Sequence, residues 1–543
     1  MKYVIGVDLG TSATKTILVD QNGKIVAEAS VKYPMYQPEN GWAEQDPSDW
    51  SEAAISTIKS VVEKGQVNGK DVRGIGISGQ MHGLVMLNEE NQVIRRSIIW
   101  CDQRATKQVE EMLELPMEKW MKITANPPMA GWTAAKILWI RENEPELFAK
   151  CRHIMLPKDY VRFILTGKYA TDASDASGMQ MLDVKNRCWS QEILDFLKVD
   201  RELLGDVYES PEVVGNLLPK IAEKCGLSTE TVVVAGGSDN ACAAIGTGIV
   251  REGQAFTTIG TSSIVYTHLK KYQEIPEGAL HLCCCAVPGC WHTMGGPQSA
   301  GLSIEWMKNN FCRDLIQKAE EENVSFYDKI NELTKDIPLG SERLIYLPFL
   351  MGERTPHIDP KYRGAFIGLN IIHGQAHMLR AIMEGVVYSL ADCNEILKKL
   401  GTEVVSMRAC GGGSRSPVWR KIMADLYKCD VHTLKQEEGP AYGAAILAGV
   451  GTGIYSSIQE ACDAFIEEDG ITECDLKEAE EYEKFHKIYD RFYEDIKALE
   501  KNYINYLKSG GLYNEKKTGN KTYDGSRRSS NGSNNNSGKC FCS

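Results

Sequence analysis

A chain of 543 residues exceeds what one hydrophobic core ordinarily serves, so two or more domains are expected. Its 43% hydrophobic and 25% charged residues describe a globular protein, and 61 basic against 73 acidic residues leave a net charge of −12. That balance argues against a general nucleic-acid or membrane-surface binder; no apolar run approaches the ~18 residues of a membrane span, and MKYVIGVDLG, short and carrying Asp8, is no signal peptide. A cytoplasmic protein is expected.

In chain order, YVIGVDLGTSATKTILVD predicts two strands joined by a glycine-containing turn, with QNGK and a third strand, IVAEAS, after it. DPSDWSEAAISTIKSVVEKG predicts an amphipathic helix with Asp46 as N-cap, Pro47 in its first turn and Gly65 at its end. VRGIGISG reads as a buried strand, and the segment from 105 to about 225 as mostly helical, broken by ANPP and LTGK. VVVAGGSDNACAAIGTG, Val232 to Gly248, then gives a short buried strand, a glycine turn and a tightly packed helix. Asp239 is its one charged residue. It is either a helix N-cap or a general base fixed among small residues.

After it the pattern restarts. GQAFTTIGTSSIVYTH repeats the strand, Gly-Thr-Ser turn and strand of the N-terminus, with TIGTSSIV matching DLGTSATK, so one fold is used twice. VVSMRACGGGSRSPVWRKIMADLY is a strand, a glycine run and a helix, the arrangement in which backbone N–H groups and a helix N-terminus meet phosphate. From Asp475 a charged helix carries an apolar stripe, Phe485, Ile488, Tyr489, Phe492, Ile496 and Leu499, expected to pack on the second domain. Residues 509–543, rich in Ser, Asn, Gly and Lys and without Leu, Ile or Val after Leu512, are expected to be a disordered tail. Its ending CFCS matches a prenylation box at Cys540, but no strong polybasic run accompanies it, and the sequons at Asn520, Asn531 and Asn535 say little in a cytosolic chain.

The 17 cysteines include no Cys-x-x-Cys, and Cys283, Cys284 and Cys285 are consecutive, a poor arrangement for a closed tetrahedral metal site; reduced, buried thiols are expected. His373 and His377 stand four apart, but no Glu follows the first, so the metalloprotease pattern fails. A P-loop and the H-R-D and D-F-G signatures of protein kinases are absent. Nucleotide phosphates would therefore meet paired hairpin turns, with Thr11 and Ser12 in the first and Thr261 and Ser262 in the second. Asp8 beside the first turn could hold Mg2+ through water, or be a short acid at a turn entry.

IGVDLGTSATK, SGQMHG, IIWCDQR, LPKDYVRFILTG, GGSDNACAAIGTG, GERTPH and GGGSRSPVWRKIMADL occur in this order. Together they resemble the FGGY carbohydrate kinases, over about residues 2 to 500. The resemblance implies an α/β, actin-like ATPase fold of two ribonuclease-H-like domains with sugar and ATP in the cleft between them. Residues 1–246 would bind sugar and carry the first phosphate loop, and 247–508 would bind ATP and end in the C-terminal helix. By similarity Asp239 is the base, Asn240 bonds the sugar, and Met81 and His82 match the sugar-contacting pair, which is Arg-Glu in glycerol kinases. Gly10–Thr11–Ser12 and Gly260–Thr261–Ser262 resemble the two phosphate loops, while Gly411, Gly412 and Ser416 resemble the adenosine site. Gly301 follows a glycerol-kinase-like pattern and would also face the nucleotide. The implied activity is ATP- and Mg2+-dependent phosphorylation of D-xylulose to its 5-phosphate, with Asp8 at the metal. Another FGGY substrate such as ribulose or gluconate is the alternative, and a non-enzymatic actin-like switch a more distant one. The implied partners are sugar and ATP, not nucleic acid or membrane, and a homodimer is compatible with the family.

Overall fold

The computed structural model describes residues 1–508 apart from Arg354, Pro360 and Glu437; the expected tail, with Cys540 and the sequons, lies outside the described residues. Contacts divide the chain into Met1–Phe485, which holds both large sheets, and the part from His486, whose described residues end the helix Leu476–Lys508. The apolar stripe of the sequence lies on that helix.

Strands Tyr3–Leu9, Ala13–Asp20 and Ile25–Lys32 form an antiparallel meander, and Val72–Gly79 then Val232–Val234 add in parallel beside the first. The second sheet repeats the order. Gln254–Ile259, Ser263–Leu269 and Trp291–Gly295 are antiparallel, and Ser406–Cys410 then Val431–Leu434 add in parallel. The repeated Gly-Thr-Ser turns foretold this repetition, and the resemblance its ribonuclease-H-like form.

Alternation along the first strand explains its two covers. Ile5, Val7 and Leu9 bury against Trp50, Ala54, Ile58 and Val61 of helix Pro47–Gly65. That helix starts as expected, with Asp46 accepting from the Ser48 N–H at 3.0 Å, and the turn after Gly65 is made by Gln66 in the left-handed region. On the opposite face Val4, Ile17 and Val19 meet helix Pro440–Gly451, which comes from the second half of the sequence. The approach is close because glycine permits it: a Cβ on Gly6 would lie 1.9 Å from the Ala441 carbonyl oxygen.

The segment from 105 to 225 is mainly helical, as expected, with helices Thr106–Met112, Met117–Thr124, Thr133–Asn143 and Pro157–Thr166 broken at ANPP and LTGK, but it also holds strands as short as Leu182–Asp183 and Cys188–Trp189 that were not expected. Strands of two to four residues are too short for a period of two to register. Among the described residues no helix is long and apolar enough to cross a membrane.

Candidate active site

The site grows from the ends of adjoining strands. Asp8 sits level with Ser78 on the parallel neighbour, and Ser78 sits level with Gly237 of the short strand Gly237–Ser238. Asp239 follows at once as the first residue of helix Asp239–Gly246. That helix packs on both sides: Ala241 and Cys242 against helix Pro440–Gly451, and Ala244 against Phe256 and Tyr266 of the second sheet. The Asp239 carboxylate is thus held where three elements meet.

Ser238, not Asp239, occupies the N-cap position, and no side chain caps there. The Asp239 carboxylate takes both its hydrogen bonds on Oδ1, from the Asn240 N–H at 2.7 Å and the Asn240 amide at 2.9 Å. Oδ2 is left for a ligand. Burial, and next the negative charge of Asp8, push Asp239 up to about 7. Burial likewise raises Asp8 to about 6, against a hydrogen bond from the Ser78 hydroxyl at 3.1 Å. Lys15, level with Asp8 on the neighbouring strand, is ion-paired to Glu438 and Glu28. Two mutually repelling carboxylates with raised proton affinity are hard oxygen donors in need of a cation, a chemistry that fits Mg2+.

The backbone before Asp239 is anchored by ions that sequence reading did not single out. The Ser238 N–H donates to the Ser174 hydroxyl at 3.0 Å, and Ser174 donates to Asp172. Lys158 binds Asp172 and Asp159 at 2.6 Å each, and Arg162 binds Asp159 at 3.0 Å. Asp175 lies 3.5 Å from Lys158, and burial pushes its carboxyl well above the usual carboxylate range. Two cations and three acidic side chains thus meet in a region with almost no water, all five being at most 2% exposed. Such a set is costly to break and therefore holds its neighbours still. Lys158 and Asp159 stand in LPKDYVRFILTG, but a lysine next to an aspartate reads as surface until the fold buries both.

The first Gly-Thr-Ser turn links the first two strands, with the Gly10 N–H on the Ala13 carbonyl at 3.1 Å. The Thr11 hydroxyl accepts from the Trp100 indole at 2.9 Å, and the Thr11 carbonyl from Gln45 at 2.6 Å. Gln45 accepts in turn from Gln80 at 2.8 Å, tying this turn to the Met81–His82 segment. Ser12 is exposed. In the second turn the Gly260 N–H bonds the Ser262 carbonyl at 2.9 Å. Helix Gly301–Phe311 begins directly on that turn: the Gly301 N–H donates to the Gly260 carbonyl at 2.8 Å, and the Ala300 and Leu302 N–H groups to that of Thr261 at 3.1 and 3.0 Å. A Cβ on Gly301 would fall 2.4 Å from the Gly260 oxygen, so its glycine is accounted for by backbone contact.

The glycine run leaves the strand beside the second turn. Thr258 pairs with Cys410, Gly411 has φ 78°, and a Cβ there would sit 3.1 Å from the Ile259 carbonyl. Gly412 is exposed with nothing within 4 Å of where a Cβ would be. The Ser416 hydroxyl is engaged inside the protein: it caps helix Pro417–Tyr427 through the Trp419 N–H at 3.1 Å and donates to Asn331 at 2.5 Å. So Gly260, Thr261, Gly301, Gly411 and Gly412 gather at strand ends of the second sheet, and Asp8, Thr11, Ser12, Asp239 and Asn240 at strand ends of the first.

His82 has φ 65°, its ring stacked on Trp132 with centroids 4.4 Å apart and Nδ1 2.9 Å from the Gly178 carbonyl. Its own carbonyl accepts from Lys136 at 2.8 Å and Thr133 at 3.1 Å. Met81 is buried beside it. Trp132 also tilts against His281 at 5.5 Å, so an aromatic wall stands here that no motif announced. At His373 and His377 each Nδ1 accepts a nearby backbone N–H, from Asn370 at 2.9 Å and Gly374 at 3.3 Å. The described cysteines are free thiols.

The FGGY family of carbohydrate kinases matches twice, its N-terminal domain over residues 3–246 and its C-terminal domain over 255–452. The xylulose kinase of Bacillus subtilis (strain 168) is 40% identical over 92% of this chain and 98% of its own. Among solved structures, a "xyloylose kinase" from Brucella ovis superposes with a TM-score of 0.84 at 32% identity, over 92% of this chain and all of that one. The gluconate kinase of Lactobacillus acidophilus reaches 0.86 at 28% identity, covering 92% and 99%.

Proposed function

The chain belongs to the FGGY family of carbohydrate kinases, with the actin-like fold of that family and ATP as phosphoryl donor, and we propose that it converts D-xylulose to D-xylulose 5-phosphate. The observation that carries this reading is the Asp239 carboxylate, whose Oδ1 is fixed by Asn240 and whose Oδ2 is available. Phosphoryl transfer asks little covalent chemistry of the protein; it asks for alignment and for a group that takes the proton of the attacking hydroxyl. Asp239 Oδ2 takes that proton. Asn240 orients the carboxylate and bonds a sugar hydroxyl, and Met81 and His82 shape the pocket against the Trp132 indole. An aromatic wall with a few fixed polar groups suits a neutral, hydroxyl-rich ligand.

Thr11 and Ser12 on one side, and Gly260 and Thr261 on the other, grip the ATP phosphates through hydroxyl and N–H groups. Gly411 and Gly412 leave room for the adenosine, which Ser416 supports by fixing the helix behind it. Gly301 acts through the second phosphate turn that it buttresses. Residues 1–246 supply the sugar side of the site and residues 247–508 the ATP side, the second part also lending helix Pro440–Gly451 to the first sheet. Asp8 would hold Mg2+ through water, and the ion supplies neutralisation of phosphate charge.

The choice of sugar follows the Bacillus subtilis relative, and ADP release measured over pentuloses, hexuloses, polyols and sugar acids tests it. D-Xylulose should show the highest kcat/KM; a higher value for gluconate or ribulose would replace it. His82→Ala should raise the sugar KM by about tenfold or more while ATP affinity stays unchanged, since one lost stacked contact costs roughly 1–3 kcal/mol. Titration of both ligands checks this, and weakened ATP binding with normal sugar use would remove His82 from the sugar pocket.

A further inference from the structure

Outside this site, the hairpin that closes the edge of the second sheet gathers sulfur and imidazole. Strand His281–Cys284 continues into Cys285, and Pro288 and Gly289 turn the chain back at Cys290. Gly289 has φ 67°, as a type II turn requires after proline, and the Cys290 N–H closes it on the Val287 carbonyl at 3.2 Å. The Cys285 N–H then bonds the Cys290 carbonyl at 3.1 Å, so the two cysteines face each other. His268 arrives from the adjoining strand Ser263–Leu269. Its Nδ1 is 3.9 Å from Cys285 Sγ, and a ring nitrogen of His268 and the two Sγ atoms all lie within 4.8 Å of one another.

From these residues we infer that His268, Cys285 and Cys290 form a binding site for a thiophilic divalent cation of the zinc class. Tetrahedral zinc with Zn–S near 2.3 Å and Zn–N near 2.0–2.1 Å sets ligand atoms ~3.6–3.8 Å apart, against 3.9 Å from Nδ1 to Cys285 Sγ and at most 4.8 Å for the other pairs, so closure on an ion needs a contraction of at most about 1 Å. His268 and Cys285 are at most 2% exposed, which fixes them, while Cys290 is partly exposed and gives the ion a way in and a fourth position for water. Cys285 and Cys290 ligate as thiolates, so metal entry is coupled to proton release. Arg187 reaches the Cys290 carbonyl at 2.8 Å, but its charge is taken up by Glu209, bound at 2.6 Å through two nitrogens. Consecutive Cys283 and Cys284 take no part, which is why the run of three pointed away from metal. Cys285, Ala286 and Val287 pack with Ala241, Cys242 and Ile245, so an ion here would stiffen the support beneath the Asp239 helix.

The test uses the full chain with Cys540→Ser and Cys542→Ser, so that terminal thiols cannot compete, reduced by a phosphine and stripped of metal. Zinc is titrated against a chromogenic chelator, and Co2+ is followed by its thiolate charge-transfer absorption. A single equivalent per chain should bind with release of a proton and raise the melting temperature. Cys290→Ser should weaken it by more than the ~10–100-fold that outer-shell changes cost, and Cys188→Ser should leave it unchanged. Should Cys290→Ser misfold, alkylation of the chain with and without zinc serves instead: zinc must protect Cys285 and Cys290 selectively. Uptake indifferent to Cys290→Ser, protection spread over other thiols, or a Cys285–Cys290 disulfide in a chain that takes no metal when reduced would overturn the site.

Discussion

Asp239→Asn should lower kcat by roughly 10²–10⁴-fold with the fold and both ligand affinities retained, the loss typical of removing a general base. The exchange is nearly isosteric, and an amide oxygen can accept the same two Asn240 hydrogen bonds that now fall on Oδ1. What the amide cannot do is take a proton. The acid side of the wild-type profile gives a second reading of the same group. With Asp239 raised to about 7, kcat/KM should fall as pH drops through that value. Because Asp8 is the second cause of the rise, Asp8→Asn should move this limb to lower pH. Stability runs the other way. A carboxyl raised from 3.8 to about 7 binds its proton more tightly folded than unfolded, so its contribution is present below the unfolded value and is lost as pH climbs to about 7. Asp239→Asn should therefore gain stability relative to wild type between about pH 4 and 7, and keep that gain above it. Turnover within a few-fold of wild type would leave Asp239 a purely structural residue.

Gly443→Ala should unfold or severely destabilise the protein, by about 3 kcal/mol or more, the upper part of the range for overpacking. In an exposed helix the same change would stabilise by ~1 kcal/mol through propensity, so the sign reports the crossing. A Cβ on Gly443 would lie 1.9 Å from the Cys242 carbonyl oxygen and 2.7 Å from its carbon, backbone atoms that no rotamer can move aside. Gly246 makes the reciprocal approach, 1.9 Å from the Gly439 oxygen. The helix that would be displaced is the one headed by Asp239, so activity should fall with stability. Gly412→Ala, where nothing lies within 4 Å, is the control and should melt like the parent in urea. Equal melting of the Gly443 variant would mean that the two helices are farther apart than this.

What could be read in advance follows from scale. Strands of six to eight residues, the Asp46 cap and the two Gly-Thr-Ser turns each show within a short window, and the matching turns implied the repeated sheet. The placement of Asp239 at a strand–helix junction was legible for the same reason. The network of Lys158, Arg162, Asp159, Asp172 and Asp175 was not, because charge in a sequence reads as surface until tertiary structure removes the water. Trp132 behind His82, and His268 opposite Cys285 and Cys290, were hidden because each pairs segments that only the fold makes neighbours. The resemblance places Ser416 at the adenosine site, and the cap it forms on helix Pro417–Tyr427 could not be told from that resemblance.

Helix Pro440–Gly451 carries one more consequence. It is encoded late, yet it roofs the first sheet: Gly6 and Gly76 each admit its backbone to within 1.9 Å of where a Cβ would stand, and Tyr442 reaches the Gly23 carbonyl at 2.6 Å. A polypeptide cut after residue 246 would thus be a sheet missing its roof, with Val4, Ile17 and Val19 bare, and prone to self-association. The two halves are clasped rather than strung together. During synthesis the first half must wait, part-covered, until some two hundred further residues have emerged, and two severed pieces could be rejoined only if the second brings that helix with it.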